Sequence, residues 1–245
     1  NWTLLSLNNF KSFLYGNIYR AKILEIGREF HKESAFIDLV NRIIAITPFY
    51  LKQELKVYSL VDFVNKIKPI NKAVVLDNFQ EFISSEFDEN KYVEGTTGGT
   101  TGKPMRIVMP NARYGFELAI VHSYWKNYGW NYDPRGVLRN HKLPDDIFYQ
   151  INPITKEIIF DAFRQEDDYI LFIHDLLIRK KIHFIQAYPS SAYQFCKRCC
   201  QLGLSLHFIR AFFTSSEPLH DFQKFFISKE LGIPVFNFYG HSEKI

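Results

Sequence analysis

Apolar residues recur at helical spacing from the start of the chain to about Asn90: Leu4, Leu5, Phe13, Leu14 and Ile18, then Phe36, Leu39, Val40, Ile43 and Ile44. Pro48, which has no backbone N–H to donate, stops that run. Ser59 followed by Asp62, just ahead of Phe63, has the order of a capping box and predicts a short helix. Lys68-Pro69-Ile70-Asn71-Lys72 and Asp77-Asn78-Phe79-Gln80-Glu81-Phe82 come next.

Beyond Pro104 the pattern changes to short apolar runs set between helices. Arg106 to Met109 reads as a strand, and Asn111 is placed to cap a helix carrying Phe116, Ile120, Val121, Tyr124, Trp125 and Tyr128. Pro134-Arg135-Gly136 closes that unit. Val137-Leu138 and Ile158 to Phe160 read as strands, Asp167 to Lys181 as a helix and His183 to Ala187 as a strand, while Leu143 to Ile154 carries no clear pattern. The next helix has Pro189 at its start and Gly203 past its end, the usual asymmetry. Phe208 to Phe213 reads as a strand, Pro218 opens a helix with Leu219, Phe222, Phe225, Phe226 and Leu231 that Gly232 ends, and Val235 to Phe238 is a last strand. Strands alternating with helices at these intervals predict an α/β layered sheet.

Between the two regimes lies Gly95-Thr96-Thr97-Gly98-Gly99-Thr100-Thr101-Gly102-Lys103-Pro104, which this composition makes a loop. Glycines let consecutive N–H groups turn toward an anion, and threonine hydroxyls and a lysine add donors, so a triphosphate is the natural guest. Three or four charge-assisted bonds of roughly 1.5 to 3 kcal/mol each suffice for micromolar to millimolar binding after association costs. The competing reading of such a composition is a Gly/Thr linker. The P-loop pattern is excluded, because Thr97 and Pro104 stand where it needs Gly and Ser or Thr, and the dinucleotide fingerprint is absent.

A chain of 245 residues that is 47% apolar has enough material for one large domain or two small ones with a real core. Its net charge of +4 comes from 30 basic and 26 acidic side chains spread along the chain, which argues against a nucleic-acid partner. Arg179-Lys180-Lys181 and Lys197-Arg198 read as solvated helix faces. No run approaches the roughly 20 apolar residues of a membrane helix, and the N-terminus has no signal-peptide pattern, so a soluble, cytoplasmic chain is expected. Asn1-Trp2-Thr3 fits a glycosylation acceptor only formally, and a start on Asn suggests a chain trimmed from a longer one. Cys196, Cys199 and Cys200 share one helix face and read as core packing rather than a metal site with His207.

Thr97 to Pro104, T-G-G-T-T-G-K-P, resembles the phosphate loop T-S-G-T-T-G-K-P of the AMP-forming adenylate ligases, the group of acyl-CoA synthetases and phenylacetate-CoA ligase. Gly98 replaces the usual Ser and Met105 the lysine common after the proline. Tyr239-Gly240-His241-Ser242-Glu243 resembles the Y-G-x-[ST]-E motif of the same superfamily. Ser215-Ser216-Glu217-Pro218 resembles its adenine-lining segment, although Ser216 or Glu217 could equally cap the helix that Pro218 opens. Asn78 to Phe82 resembles the N-x-x-x-F turn leading into the loop, and Tyr188-Pro189-Ser190-Ser191 with Thr214-Ser215-Ser216-Glu217 points to the capsule-biosynthesis relatives of phenylacetate-CoA ligase.

The resemblance implies the N-terminal large domain of the adenylate-forming ligase fold: a layered mixed sheet with helices on both faces, a helical segment at 1–92 and a nucleotide-binding part at 93–245. It implies ATP and Mg²⁺ as cofactors and CoA as a candidate co-substrate, with a small carboxylic acid adenylated as pyrophosphate leaves. Nucleotide binding then falls to Thr97, Gly98, Gly99, Thr100, Thr101, Gly102, Lys103, Ser215, Ser216, Glu217, Tyr239, Gly240 and Ser242, and the metal to Glu243. Tyr239 would lie against adenine, Ser242 would meet the α-phosphate, and no catalytic residue is identified within the chain. The ribose-binding Asp, hinge and mobile lysine-bearing domain of the family have no counterpart here, so the chain is expected to be part of a longer ligase. A non-catalytic scaffold in polysaccharide assembly is the alternative, favoured by Gly98 and Met105. Trp125, Tyr128 and Tyr188 are candidates for the acid pocket, with core packing the preferred reading.

Overall fold

The structure is a computed structural model that describes residues 15–29, 33–96 and 104–238. These residues form two compact units, Tyr15–Ile120 and the residues from Val121 on. The expected helical positions Leu4, Leu5, Phe13 and Leu14 lie outside the described residues.

The first unit contains α1 (Gly16–Glu29), α2 (Glu33–Ile46), α3 (Pro48–Leu51), α4 (Leu60–Lys66), α5 (Lys72–Asp77), α6 (Phe79–Phe82), the antiparallel pair β1 (Tyr92–Thr96) and β2 (Arg106–Pro110), and α7 (Arg113–Lys126), which contains the boundary. The apolar stripe of α2 buries Ile37, Val40 and Ile44 against Val57, with Phe63 and Ile67 of the α4 region packed on them. Asn41 clips the segment before α4 in place, accepting from the Val57 N–H at 2.9 Å and donating to its carbonyl at 2.7 Å. Pro48 ends α2 and starts the one-turn α3, because its fixed φ suits a first helical position. Ser59 caps α4 by accepting from the Asp62 N–H at 3.1 Å, while Asp62 reaches back one residue further than a capping box requires, to the N–H of Tyr58. Phe82, the aromatic of the N-x-x-x-F turn, stacks on Phe49 with ring centroids 4.3 Å apart.

Two expectations shift here. Gly95 and Thr96 end strand β1 instead of opening the loop. A Cβ at Gly95 would come 2.7 Å from the Met109 side chain, so glycine is what lets that methionine cross the face of the pair. Asn111 sends its side-chain amide to the Asn90 carbonyl at 3.2 Å, and the helix it was expected to cap begins at Arg113.

The second unit is built on a six-stranded sheet in the order β4-β5-β3-β6-β7-β8: β3 (Arg135–Leu138), β4 (Gln150–Asn152), β5 (Glu157–Ile159), β6 (Phe184–Ala187), β7 (Ala211–Ser215) and β8 (Val235–Phe238). All neighbours are parallel except β4, which pairs antiparallel with β5 at one edge. The mixed α/β sheet is as the alternating pattern requires; β4 falls in the stretch that carried no clear pattern.

Helices cover both faces. Alternation along the strands sends Ile158, Ile185 and Phe212 to one side, where α8 (Asp167–Arg179) and α9 (Pro189–Gln201) bury Ile170, Ile173, Leu177, Phe195, Cys196 and Cys199 among them. A Cβ at Gly136 would come 3.1 Å from Leu177, so the absence of a side chain there sets how closely α8 approaches β3. Phe213 and Phe236 point to the other side, where Trp125 stacks on Phe213 at 4.5 Å and Tyr124 on Phe236 at 5.4 Å. Buried Arg135 sits on that face, bonded to Gln186, Glu157 and the Thr155 carbonyl, with its guanidinium 5.2 Å from the Trp125 ring.

Strand β7 starts three residues later than its apolar run and ends two later. His183 accepts the Arg210 N–H and its ring binds the Phe208 carbonyl, so this stretch is satisfied as a turn, while pairing of Thr214 with Asn237 and Ser215 with Phe238 carries the ladder onward. Helix α10 (Asp221–Phe225) likewise starts after Pro218, where Gln223 accepts from the His220 N–H, and continues as a π-helical turn, Phe226–Glu230. No helix among the described residues is long and apolar enough to cross a membrane.

Candidate functional site

From β3 the chain moves to β4 and β5 on one side, and β6, β7 and β8 are then added on the other. The connections therefore diverge between β3 and β6, and in such sheets the crevice beyond the carboxyl ends at this switch point receives ligands. A cavity of about 520 Å³ opens there.

Each wall follows from a strand end. Arg139 and Asn140 follow β3, Ala162, Phe163 and Gln165 follow β5, Tyr188 follows β6, Ser190, Ser191 and Gln194 stand on the first turns of α9, and Glu217 follows β7. The Arg139 guanidinium lies 5.4 Å from the Tyr188 ring centroid and donates to Ser216 Oγ at 3.1 Å. Among the described residues no carboxylate is within ion-pair distance of it. Glu217 Oε2 accepts from the Ser190 N–H at 3.2 Å, placing a negative charge at the N-terminus of α9, an arrangement worth about 0.3–1 kcal/mol. Neither Ser216 nor Glu217 caps the following helix, which starts too late for either to reach it.

Ser215 ends β7 within the sheet, and Ser216 adopts the left-handed backbone, φ 72°, that turns the chain over the rim. Buried Thr214 donates to Asn237 Oδ1 at 2.8 Å, fixing the ends of β7 and β8 together. Asp161 supports the opposite wall. Its carboxylate accepts from the N–H groups of Leu143 and Phe163 at 2.9 and 2.8 Å, and the Tyr169 hydroxyl accepts from the Asp161 N–H and donates to the Phe148 carbonyl. Burial pushes the Tyr169 hydroxyl above its ordinary pKa, keeping it a donor.

The remaining expected site residues, Thr97 to Lys103, Tyr239, Gly240, Ser242 and Glu243, lie outside the described residues. Their flanks are described. Thr96 pairs with Arg106, so 97–105 joins two antiparallel strands, and Arg106 clamps the base of that connection with two 2.8 Å bonds to Glu94. Phe238, beside Ser215, ends the described part of the chain. Among the described residues no group of three His, Cys, Asp or Glu could hold a metal ion.

The three aromatic candidates separate cleanly. Trp125 is core and Tyr128 packs on Phe213 and Phe236, whereas Tyr188 faces the cavity. Arg139, Asn140, Phe163, Gln165 and Gln194 were not singled out from sequence. Arg139-Asn140 carried the available signal, a polar pair directly after the strand Val137-Leu138.

No family model matches this chain, and no curated protein does. Solved structures of 2-hydroxyisobutyryl-CoA ligase are similar. Its open conformation in complex with 2-HIB-AMP and CoA superposes with a TM-score of 0.59 at 14% identity, covering 86% of this chain and 54% of the ligase. Its complex with 2-HIB-AMP and CoA in the thioesterification state gives 0.54 at 16% identity, covering 95% and 46%. The fold is that of the adenylate-forming ligases. The chain spans about half the length of these enzymes.

Proposed function

We propose that this chain is the nucleotide-binding part of an ATP-dependent, AMP-forming ligase that adenylates a small carboxylic acid. The observation that carries this reading is a ligase-type sheet with an open cavity at its switch point, lined by Glu217 and by Arg139, which donates to Ser216. Within the superfamily the motifs favour the phenylacetate-CoA ligase and capsule-biosynthesis group, and CoA, which 2-hydroxyisobutyryl-CoA ligase binds, is the proposed acceptor.

In this reading the loop Thr97 to Lys103 holds the β- and γ-phosphates through backbone N–H groups, threonine hydroxyls and Lys103. Backbone groups of Ser215 to Glu217 line the adenine, Tyr239 covers it, and Ser242 meets the α-phosphate. Attack on the α-phosphorus spreads negative charge over phosphoryl oxygens, so these residues act by positioning and electrostatic stabilisation. Glu243 is the residue that would hold Mg²⁺, which supplies further neutralisation of that charge.

Calorimetric titration of ATP and AMP tests the assignment. Lys103→Ala should weaken ATP more than AMP, since only the distal phosphates lose a partner, and equal loss of both would remove the loop from its role. A chain that binds no ATP and shows no Mg²⁺-linked heat would be the non-catalytic relative that Gly98 and Met105 favour.

A further inference from the structure

We infer that the cavity beyond β3, β6 and β7 receives a small hydroxylated carboxylic acid, with Arg139 pairing an anionic oxygen and Glu217 accepting from a hydroxyl. This rests on the ligase reading only in taking that acid to be the one activated.

Charge comes first. Arg139 has one described hydrogen bond, to Ser216, and lies against the Tyr188 ring with no carboxylate of the described residues beside it. A guanidinium has five N–H donors in a planar fork suited to a carboxylate, so donors beyond the one given to Ser216 remain for a ligand in the cavity that Arg139 lines. Glu217 shows the opposite need: one oxygen takes the Ser190 N–H, and a carboxylate has further lone pairs for a donor from a ligand.

An alkyl or aryl acid satisfies Arg139 alone. Its chain would lie along the lining residues Glu217, Asn140 and Gln194 while offering their polar groups nothing, and covered polar groups without partners count against binding. A hydroxylated chain supplies those bonds. Its C–H faces would meet the Tyr188 ring and Phe163, which is 61% exposed. The volume of about 520 Å³ lies within the span of small-molecule sites, about 300–1,000 Å³.

The test is calorimetric titration of the chain with D-gluconate, D-gluconamide, octanoate and phenylacetate, with AMP titrated in parallel. Gluconate should bind at least about tenfold tighter than the other three, because a site built to hydrogen-bond and pair charge rejects analogues lacking those groups. Arg139→Ala should lose at least about tenfold in gluconate affinity, and Gln194→Leu should narrow the preference over octanoate. Octanoate or phenylacetate binding as tightly as gluconate, or unchanged gluconate affinity in folded Arg139→Ala, overturns the inference. If Arg139→Ala does not fold, the gluconamide arm on the parent chain and Gln194→Leu decide it. Gluconate binding without AMP binding would sink the ligase reading and leave the cavity assignment standing; AMP binding without gluconate binding would do the reverse.

Discussion

Arg139 and Ser216 are 77 positions apart, yet the guanidinium of one donates to the hydroxyl of the other at 3.1 Å, joining the end of β3 to the end of β7 across β6. Ser216, which accepts this bond, takes the left-handed backbone, φ 72°.

That conformation gives the first prediction. A β-branched residue is poorly suited to positive φ, so Ser216→Val should lower stability by about 1–2 kcal/mol, whereas Ser216→Gly, which tolerates the angle, should stay within about 1 kcal/mol of the parent. Urea unfolding midpoints distinguish the two. Equal destabilisation would mean that the lost hydroxyl, and not the backbone, matters.

Arg135 is buried and Glu157 is its carboxylate partner. Removing that partner leaves a guanidinium inside the sheet with only neutral acceptors from Gln186 and Thr155. Glu157→Ala should therefore cost about 3–5 kcal/mol in unfolding free energy. A loss below 1 kcal/mol, on the order of a surface pair, would show that the two neutral acceptors suffice.

His122 is fully buried among Trp125, Trp130 and Tyr132. Burial first, and then the charges of Arg135 and Lys126, push its pKa down to about 2. The unfolded chain binds a proton below pH of about 6.5 that the folded chain does not take up until about 2, so stability falls with acidification across that window. The slope is about 1.4 kcal/mol per pH unit for one such group. Unfolding free energies measured from pH 7 to pH 5 should fall more steeply in the parent than in His122→Phe. Parallel curves would refute the assignment.

Three cysteines share one helix, but only Cys200 is exposed. Burial raises the thiol of Cys196 well above its ordinary range and that of Cys199 to about 12, so neither forms thiolate near neutrality. A thiol reagent should modify one equivalent in the native chain and three after unfolding. Rapid modification of all three without denaturant would contradict the packing of α9.

Much of this arrangement is legible along the chain. Val235–Phe238 is a strand as its apolar run requires, α9 starts on Pro189, and Ser59 caps α4, because each depends on neighbours within a few residues. The motif Thr97 to Lys103 is readable for the same reason, as a local run of glycines, threonines and a lysine. Where long-range pairing decides, the sequence misleads. Phe208 to Arg210 look like strand but lie outside the ladder, since His183, just before β6, meets their backbone, and Ser215 looks like loop but is held in the ladder by Phe238.

By itself, then, the sequence determined the α/β alternation and the helices that precede β1, both of them written in the spacing of neighbouring residues, while the ligase-like run Thr97 to Lys103 is a resemblance that lies outside the described residues. Only the tertiary structure decided that Arg139, Tyr188, Ser190 and Glu217 share one cavity, and that Tyr188 alone of three candidate aromatics faces it. The reason is strand order. Which carboxyl ends lie side by side depends on β5 and β6 flanking β3, a choice made by packing the whole sheet between its helices and not marked at any single position.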